Sequence, residues 1–193
     1  MPATPKVLAF AGSLRRDSYN KKLVRIAAEA ARNAGAEVML IDLADFPLPV
    51  FNEDDETASG MPENARRLKE LFLSHHGLLI SAPEYNSSVT AALKNAIDWV
   101  SRKGPGPLQA WPFGEKCAAL LSASPGQLGG LRGLVHLRAI LGNLDVLVLP
   151  DQLAVPRAHE AFQADGSLKD PRQQERVAAI AGKLVGLLRK LLA

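Results

Sequence analysis

Cysteine and long apolar runs are scarce in this sequence. Its 193 residues include one cysteine, Cys117, which excludes an internal disulfide framework and a cysteine-rich zinc site. No run approaches the roughly 18 apolar residues that a membrane-spanning helix needs. The opening stretch MPATPKVLAF has no basic region followed by a separate apolar segment, as a secretory signal would have. We therefore expect a cytoplasmic protein without a membrane span.

A dominant charge of one sign is missing as well. The 23 Lys and Arg residues and the 20 Asp and Glu residues are intermixed and leave a formal net charge of +3. A nucleic-acid-binding protein would concentrate its basic residues in a patch or carry a recognisable binding motif, and the sequence shows neither. With 47% hydrophobic and 22% charged residues, the composition is that of an ordinary globular protein. We predict a single domain over residues 1–193.

Five apolar runs of strand length alternate with segments of helical period. The predicted strands cover residues 6–12, 36–42, 77–82, 116–123 and 145–150. Most of them are continuously apolar, which is typical of parallel strands that are buried on both faces. The pattern predicts a three-layer α/β fold, in which helices cover both faces of a five-stranded parallel sheet. The expected strand order is the flavodoxin-like 2-1-3-4-5.

Four helical segments lie between the strands, and a fifth closes the chain over about residues 171–192. The third segment places Val89, Leu93 and Val100 on one apolar stripe. The fourth, about residues 131–141, is apolar on more than one stripe, so we expect it to be deeply buried or shared with a partner subunit. The Asp-Gly pair in FQADGSLK predicts a small hairpin.

Three loops of unusual composition follow the first, third and fourth predicted strands. They cover residues 12–20, 82–89 and 122–130. Open parallel sheets bind ligands at the carboxyl ends of their strands, where the strand order reverses. In the predicted order this point lies between the first and third strands. We expect a binding site where the three loops meet.

The first loop, GSLRRDSYN, has the chemistry to hold a phosphate. A loop that enters a helix offers unpaired backbone amides and the positive end of the helix dipole. Ser13, Arg15, Ser18 and Asn20 add side-chain donors. The loop matches neither G-x-x-x-x-G-K-[ST] nor G-x-G-x-x-G, and its single glycine suits a terminal phosphomonoester better than a pyrophosphate. The alternative is that Ser18 simply caps the helix, with no ligand bound.

The second and third loops suit a planar ligand. In APEYNSSVT, Tyr85 offers a flat apolar face, and Asn86, Ser87 and Ser88 offer short hydrogen-bonding groups. The alternative is a helix N-terminus with Asn86 or Ser87 as the capping residue. In SASPGQLGG, three glycines would let the backbone approach a ring closely. The alternative for this stretch is a plain turn.

Together, GSLRRDSYN, PEYNSSVTAALKNAIDW and SASPGQLGGLRGLVHLRAIL resemble the motifs of the NADPH-dependent FMN reductase family, in order over about residues 6–149. That family includes quinone, chromate and azo-dye reductases with a flavodoxin-like fold. The resemblance implies that the FMN phosphate is held at Ser13, Arg15, Ser18 and Asn20, and that the isoalloxazine ring lies along Pro83, Glu84, Tyr85, Asn86 and Ser87, with Ser124 and Gly126 on its other side. It also implies a homodimer or homotetramer with FMN near the subunit interface.

The implied activity is an electron transfer in two steps. NADPH or NADH reduces the bound FMN, and a quinone-, chromate-, azo- or free-flavin-type acceptor then takes the electrons. Because the flavin supplies the chemistry, we expect no catalytic acid–base pair. Backbone amides of residues 83–87 are expected to face the N1–C2 carbonyl edge of the ring.

Other functions remain open at this point. A flavodoxin-type electron carrier would share the fold, but such carriers tend to be strongly acidic, whereas this chain has a pI near 9.1. A flavin-binding protein without turnover is a second alternative. A phosphate-ester enzyme or a sugar-phosphate binder that uses the loop of residues 12–20 is a third, and the enzyme is disfavoured because Cys117 does not begin a C-x5-R pattern. No metal site is predicted, since His136 and His159 lack a partner at ligand spacing.

Overall fold

A parallel β-sheet forms the centre of the protein in the computed structural model, which describes residues 3–193. The strands of this range are β1 (Lys6–Ala11), β2 (Glu37–Asp42), β3 (Gly77–Ser81), β4 (Glu84–Tyr85), β5 (Ser88–Val89), β6 (Cys117–Ala123) and β7 (Leu147–Val155). The sheet has the order β2-β1-β3-β6-β7, and all its neighbours are parallel. β4 and β5 form a separate antiparallel hairpin. The predicted order 2-1-3-4-5 is therefore confirmed for the main sheet.

Helices cover both faces of the sheet. They are α1 (Tyr19–Asn33), α2 (Glu53–Ser59), α3 (Glu63–Ser74), α4 (Ala91–Ser101), α5 (Leu131–Asn143), α6 (Ala158–Ala161) and α7 (Pro171–Leu191). One core lies between the sheet and α1 with α7, and the other lies between the sheet and α3, α4 and α5. No helix within residues 3–193 is long and apolar enough to cross a membrane.

The central strands supply both cores, because successive side chains of a strand point to opposite faces. In β1, Val7 and Ala9 enter the core under α1 and α7, whereas Leu8 and Phe10 enter the core under α3 to α5. All four side chains are buried. This two-sided burial explains the continuous apolar runs from which the strands were predicted.

Two helices differ from the sequence prediction. Val89 does not begin the third predicted helix but lies in β5, and α4 starts two residues later, after the capping residue Thr90. The helix predicted at 131–141 is not deeply buried on all sides. Leu134 and Leu137 are buried, but Leu131 and Val135 are exposed on its outer face. Of the two expectations for this helix, burial inside one chain is therefore wrong.

The last strand and the loops also depart from expectation. β7 continues past Pro150 to Val155. Its pairing with β6 shifts register between Val148, which pairs with Ala118, and Gln152, which pairs with Leu120. The acidic stretch after Asn52, which has no apolar period, forms the short α2. The hairpin expected around Asp165 and Gly166 is present as a single antiparallel bridge between Phe162 and Leu168.

Candidate functional site

The three polar loops lie side by side at the carboxyl edge of the sheet and are joined by buried hydrogen bonds. Asn20, in the first turn of α1, is 3% exposed. Its amide nitrogen donates to the carbonyl of Ala123 at 2.8 Å, and its Oδ1 accepts from the Ala123 amide at 3.0 Å and from Ser81 Oγ at 2.8 Å. One side chain thus links α1 to the ends of β3 and β6.

A second link joins the first loop to the start of α4. Thr90 Oγ1 caps α4 by accepting from the Leu93 amide at 3.2 Å, and it donates to the Gly12 carbonyl at 2.6 Å. Gly12 has no room for a side chain, because an added Cβ would lie 2.9 Å from Leu93 Cδ2. Thr90 and Gly12 therefore fix the distance between β1 and α4.

The first loop presents several hydrogen-bond donors that no residue of the fold uses. Ser18 caps α1 by accepting from the Asn20 amide at 3.2 Å, and Ser13 Oγ accepts from the Arg15 amide at 3.2 Å. Within residues 3–193, the amides of Arg16 and Asp17 have no acceptor, and the exposed guanidinium of Arg15 has no polar partner. The capping role expected of Ser18 is thus present, and the loop still carries the donors that an anion would need.

The second loop is the β4–β5 hairpin, whose tip is a two-residue turn. Asn86 and Ser87 have φ values of +49° and +67°, the left-handed pair that a type I′ turn requires. Their amides donate to no acceptor among the described residues. Tyr85 is 52% exposed beside the turn, and Pro83 is buried at its base. The hairpin therefore displays an aromatic face and two unpaired amides at the edge of the sheet.

Glu84, in the same hairpin, points away from solvent and is held by α5. Its side chain is 8% exposed and forms an ion pair with Arg132. Glu84 Oε1 accepts from Arg132 Nε at 2.9 Å, and Oε2 accepts from the Gly133 amide at 3.1 Å. Burial raises the pKa of Glu84, but these hydrogen bonds outweigh burial and hold the pKa below its usual range. Glu84 is therefore ionised at neutral pH and is not suited to general acid catalysis.

The third loop crosses the end of β6 and is anchored to β7. The Ser124 amide donates to the Val155 carbonyl at 3.1 Å, and the Ala158 amide donates to the Ser124 carbonyl at 3.0 Å. Ser124 Oγ accepts from the Gly126 amide at 3.2 Å. Gly126 is exposed, so this loop offers a small residue on an open surface.

A glycine pair connects the third loop to α5. Gly129 and Gly130 have φ values of +62° and +94°. An added Cβ would lie 2.7 Å from the Val155 backbone at the first position and 1.9 Å from Ser122 Oγ at the second. Both positions thus need glycine for conformation and for space. Of the three glycines expected to let the backbone approach a ring, these two are buried against the fold itself, and Gly126 is exposed.

The arrangement fits a phosphorylated planar ligand. Unpaired amides and a free guanidinium in the first loop are the donor set that a phosphate takes, and this end also has the α1 dipole. The second and third loops supply an aromatic face, unpaired amides and small residues for a ring. A parallel sheet of this order, with such loops where the strand order reverses, defines a flavodoxin-like fold. Its candidate function is to bind a mononucleotide at these loops.

Comparison with known proteins assigns the family. Residues 5–160 match the family of NADPH-dependent FMN reductases. The chain is 41% identical over 174 residues to an NAD(P)H-dependent FMN reductase of Pseudomonas aeruginosa, covering 89% of each protein. It is 35% identical over 198 residues to an NAD(P)H:quinone oxidoreductase of Solanum tuberosum, covering 99% of this chain and 97% of that one. The chain belongs to the NADPH-dependent FMN reductase family.

The fold comparison agrees with this assignment. The structure matches FerB, a flavoenzyme NAD(P)H:(acceptor) oxidoreductase from Paracoccus denitrificans, with a TM-score of 0.80 and 29% identity. The match covers 97% of this chain and 98% of FerB. The resemblance stated from the sequence is thereby confirmed for family and fold, and the reductase class and the FMN and nicotinamide cofactors are confirmed as those of the family.

Several residues that shape the site were not among those predicted. Thr90, Arg132 and Gly133 each contact the loops through hydrogen bonds described above. A threonine directly before the apolar stripe of α4 is a capping signal that the sequence does carry. Nothing in the sequence pattern pairs Glu84 with a residue 48 positions away.

Proposed function

We propose that this protein is an FMN-dependent NAD(P)H oxidoreductase that passes electrons from NADPH or NADH through bound FMN to quinone-, chromate-, azo- or free-flavin-type acceptors. The observation that carries the proposal is the joining of the three loops at the switch point of the sheet by Asn20 and Thr90. The family relationship supports the same reaction class. The proposed unit is one FMN-binding domain over the whole chain, acting in the cytoplasm, where NAD(P)H is available and an unpaired cysteine is compatible with the redox conditions.

The phosphate end of FMN is proposed to lie in the first loop. Arg15 would supply a charge-assisted pair of hydrogen bonds, and Ser13 and Ser18 would supply hydroxyls beside the unpaired amides. Asn20 takes a different part in this proposal from the one that the resemblance implied. The side-chain amide of Asn20 already forms hydrogen bonds with Ala123 and Ser81, so Asn20 would anchor the loop to β3 and β6 rather than serve mainly as a phosphate ligand.

The ring end is proposed to lie between the second and third loops. When bound, the flavin accepts hydride at its N5 and releases electrons to the acceptor. The amides of Asn86 and Ser87 would stabilise negative charge on the N1–C2 carbonyl edge, since preorganised backbone donors need no reorganisation when charge develops. Tyr85, Ser124 and Gly126 would border the ring. No side-chain acid is required by this scheme, which agrees with the ionised, fully engaged state of Glu84.

The acceptor side is proposed to be permissive. Tyr85 and Gly126 are exposed, so the ring would face an open surface rather than a closed, shaped cavity. Quinones, azo compounds and chromate share the ability to accept electrons, not a common shape. An open site therefore suits a broad range of acceptors.

Self-association is proposed to use the outer face of α5. Leu131 and Val135 lie four positions apart on this face and are 41% and 56% exposed. Leu128, just before the helix, is also exposed. An exposed apolar stripe of this kind is typical of a surface covered by another chain, and its place beside the β4–β5 hairpin would put the cofactor near a subunit interface of a homodimer or homotetramer.

The decisive experiment is a flavin titration followed by reduction. Purified protein incubated with FMN and desalted should retain flavin absorbance, and anaerobic NADPH should bleach it. Protein that retains no flavin would refute the proposal, whereas flavin that is bound but not bleached would favour an electron carrier or a non-catalytic flavin-binding protein. Arg15→Ala should weaken FMN binding by about 1.5–3 kcal/mol through loss of a charge-assisted contact. Arg25→Ala, which removes the same charge from an exposed position on α1, is the matched control.

A further inference from the structure

The β4–β5 hairpin depends on α5 for its position. Each of its strands has two residues, and the hairpin is not hydrogen-bonded into the main sheet. A hairpin of this size has too little pairing to be stable by itself. The residues at its two ends are anchored, because the Ala82 amide donates to the Leu121 carbonyl at 2.8 Å and Thr90 bonds Gly12. Between these ends, the element that packs on the hairpin is the first half of α5.

Three contacts from α5 hold both arms of the hairpin. Glu84 in β4 bonds Arg132 and the Gly133 amide, and Ser88 Oγ in β5 lies 2.9 Å from His136 Nδ1. Gly133 brings the helix backbone close, because an added Cβ would lie 3.2 Å from the Ser88 carbonyl oxygen and 3.3 Å from Glu84 Cβ. The contacts come from positions 132, 133 and 136 of α5, about one turn of the helix, and they involve Glu84 and Ser88 rather than Asn86 and Ser87 of the turn.

Glu84 also completes the N-terminus of α5. The residue before this helix is Gly130, which has no side chain and so makes no capping hydrogen bond. Gly133 is the third residue of the helix, and its amide is one that a capping side chain ordinarily accepts from. Glu84 accepts from this amide across 49 residues of sequence, and its negative charge lies at the positive end of the helix dipole. Helix and hairpin thus stabilise each other through one carboxylate.

We propose that Glu84 and Arg132 are a pair of positioning residues that fix the turn of Asn86 and Ser87 for binding the flavin ring, and that neither needs to contact the cofactor. The inference rests on the proposed function, because it takes this turn as the part of the hairpin that contacts the flavin ring. It replaces the direct cofactor contact implied for Glu84 and gives a role to Arg132. Arg132 acts through Glu84, since its guanidinium bonds that carboxylate.

The test uses Glu84→Ala, Arg132→Ala, the double variant and the isosteric Glu84→Gln, which is least liable to misfold. Glu56→Gln is the matched control, because Glu56 is 14% exposed and also pairs with an arginine, Arg102, at the far end of α4. Two quantities are measured for each protein. They are amide hydrogen exchange over residues 82–90 without FMN, and the Kd for FMN from quenching of flavin fluorescence.

We expect Glu84→Ala to accelerate exchange in the hairpin and raise the FMN Kd about tenfold, from the loss of charge-assisted hydrogen bonds by a buried carboxylate. Glu84→Gln should do the same to a smaller extent, and Glu56→Gln should change neither quantity. Arg132→Ala should raise the Kd in the wild-type background but add nothing to Glu84→Ala, because the two residues act as one unit.

Two results would overturn the inference while leaving the proposed function intact. One is an FMN Kd of Glu84→Ala equal to that of Glu56→Gln in a protein whose wild type binds FMN. The other is additive effects of the two alanine substitutions, which would mean that Arg132 acts on the ligand independently of Glu84. If the wild type bound no FMN, the proposed function would fail, and the exchange experiment alone would decide the positioning role: unchanged hairpin exchange in Glu84→Ala would refute it.

Discussion

Replacing Asn20 tests whether the loops of the site are held together as the structure describes. Asn20→Ala removes three buried hydrogen bonds and leaves the amide and carbonyl of Ala123 without partners at a position 3% exposed. At about 1 kcal/mol for each buried bond, the free energy of unfolding should fall by about 3 kcal/mol. For a protein of this size that corresponds to a Tm lower by roughly 6–12 °C.

The assay is urea denaturation of the FMN-free protein, monitored by circular dichroism, with Tm from a thermal scan as a second measure. Asn33→Ala, on the exposed end of the same helix, is the control and should change the free energy of unfolding by less than about 0.5 kcal/mol. Asn20→Asp should destabilise the protein at least as much as Asn20→Ala, because it places an acceptor against the Ala123 carbonyl and buries a charge. A loss below about 1 kcal/mol in Asn20→Ala would refute the reasoning.

Three further predictions concern stability and reactivity. Gly129→Ala should lower the free energy of unfolding, measured by urea denaturation, by more than about 2 kcal/mol, because the residue has positive φ and the new Cβ would lie 2.7 Å from the Val155 backbone. Gly142→Ala, at an exposed glycine, is the control, and equal effects of the two substitutions would contradict the prediction. Burial lowers the pKa of Lys116 to about 8, so between pH 8 and about 10.4 the unfolded chain binds more protons than the folded chain, and the free energy of unfolding should rise with pH. Lys116→Met should lack this rise, and an unchanged slope in the variant would mean that other groups cause the rise. Burial raises the pKa of the Cys117 thiol, so it should react with a disulfide reagent at pH 8 only when urea unfolds the chain, and rapid labelling of the folded protein would contradict its burial.

The sequence predicts the sheet well because its central strands are buried on both faces. Val7, Leu8, Ala9 and Phe10 all enter a core, so the strand appears as a continuous apolar run that no surface helix would share. The end of β7 differs from the sequence prediction for a physical reason. Pro150 lacks an amide and suggests the end of a strand, but β7 is an edge strand whose register shifts beside it, and a proline is tolerated there.

The candidate site was predictable where its chemistry is local and not where it depends on distant pairing. Ser18 is recognisable as a cap from the residues around it. The β4–β5 hairpin has strands too short to show any period, and its contact with α5 is set by Glu84 and Arg132, which are far apart in sequence. The sequence pattern does not predict α2, because none of its residues is buried. This helix is held by the ion pair between Glu56 and Arg102.

The hydrogen bonds by which Asn20 and Thr90 join the loops also determine when the site can form during folding. Asn20 reaches Ala123 across 103 residues and Ser81 across 61, and Thr90 reaches Gly12 across 78. Contacts of such separation form only after the entropy cost of closing long loops has been met. A nascent chain that has emerged as far as α4 therefore holds the first two loops but lacks Ala123, the residue that fixes Asn20. Flavin capture is thus expected to follow insertion of β6 beside β3, as a late event that acts on an already paired sheet.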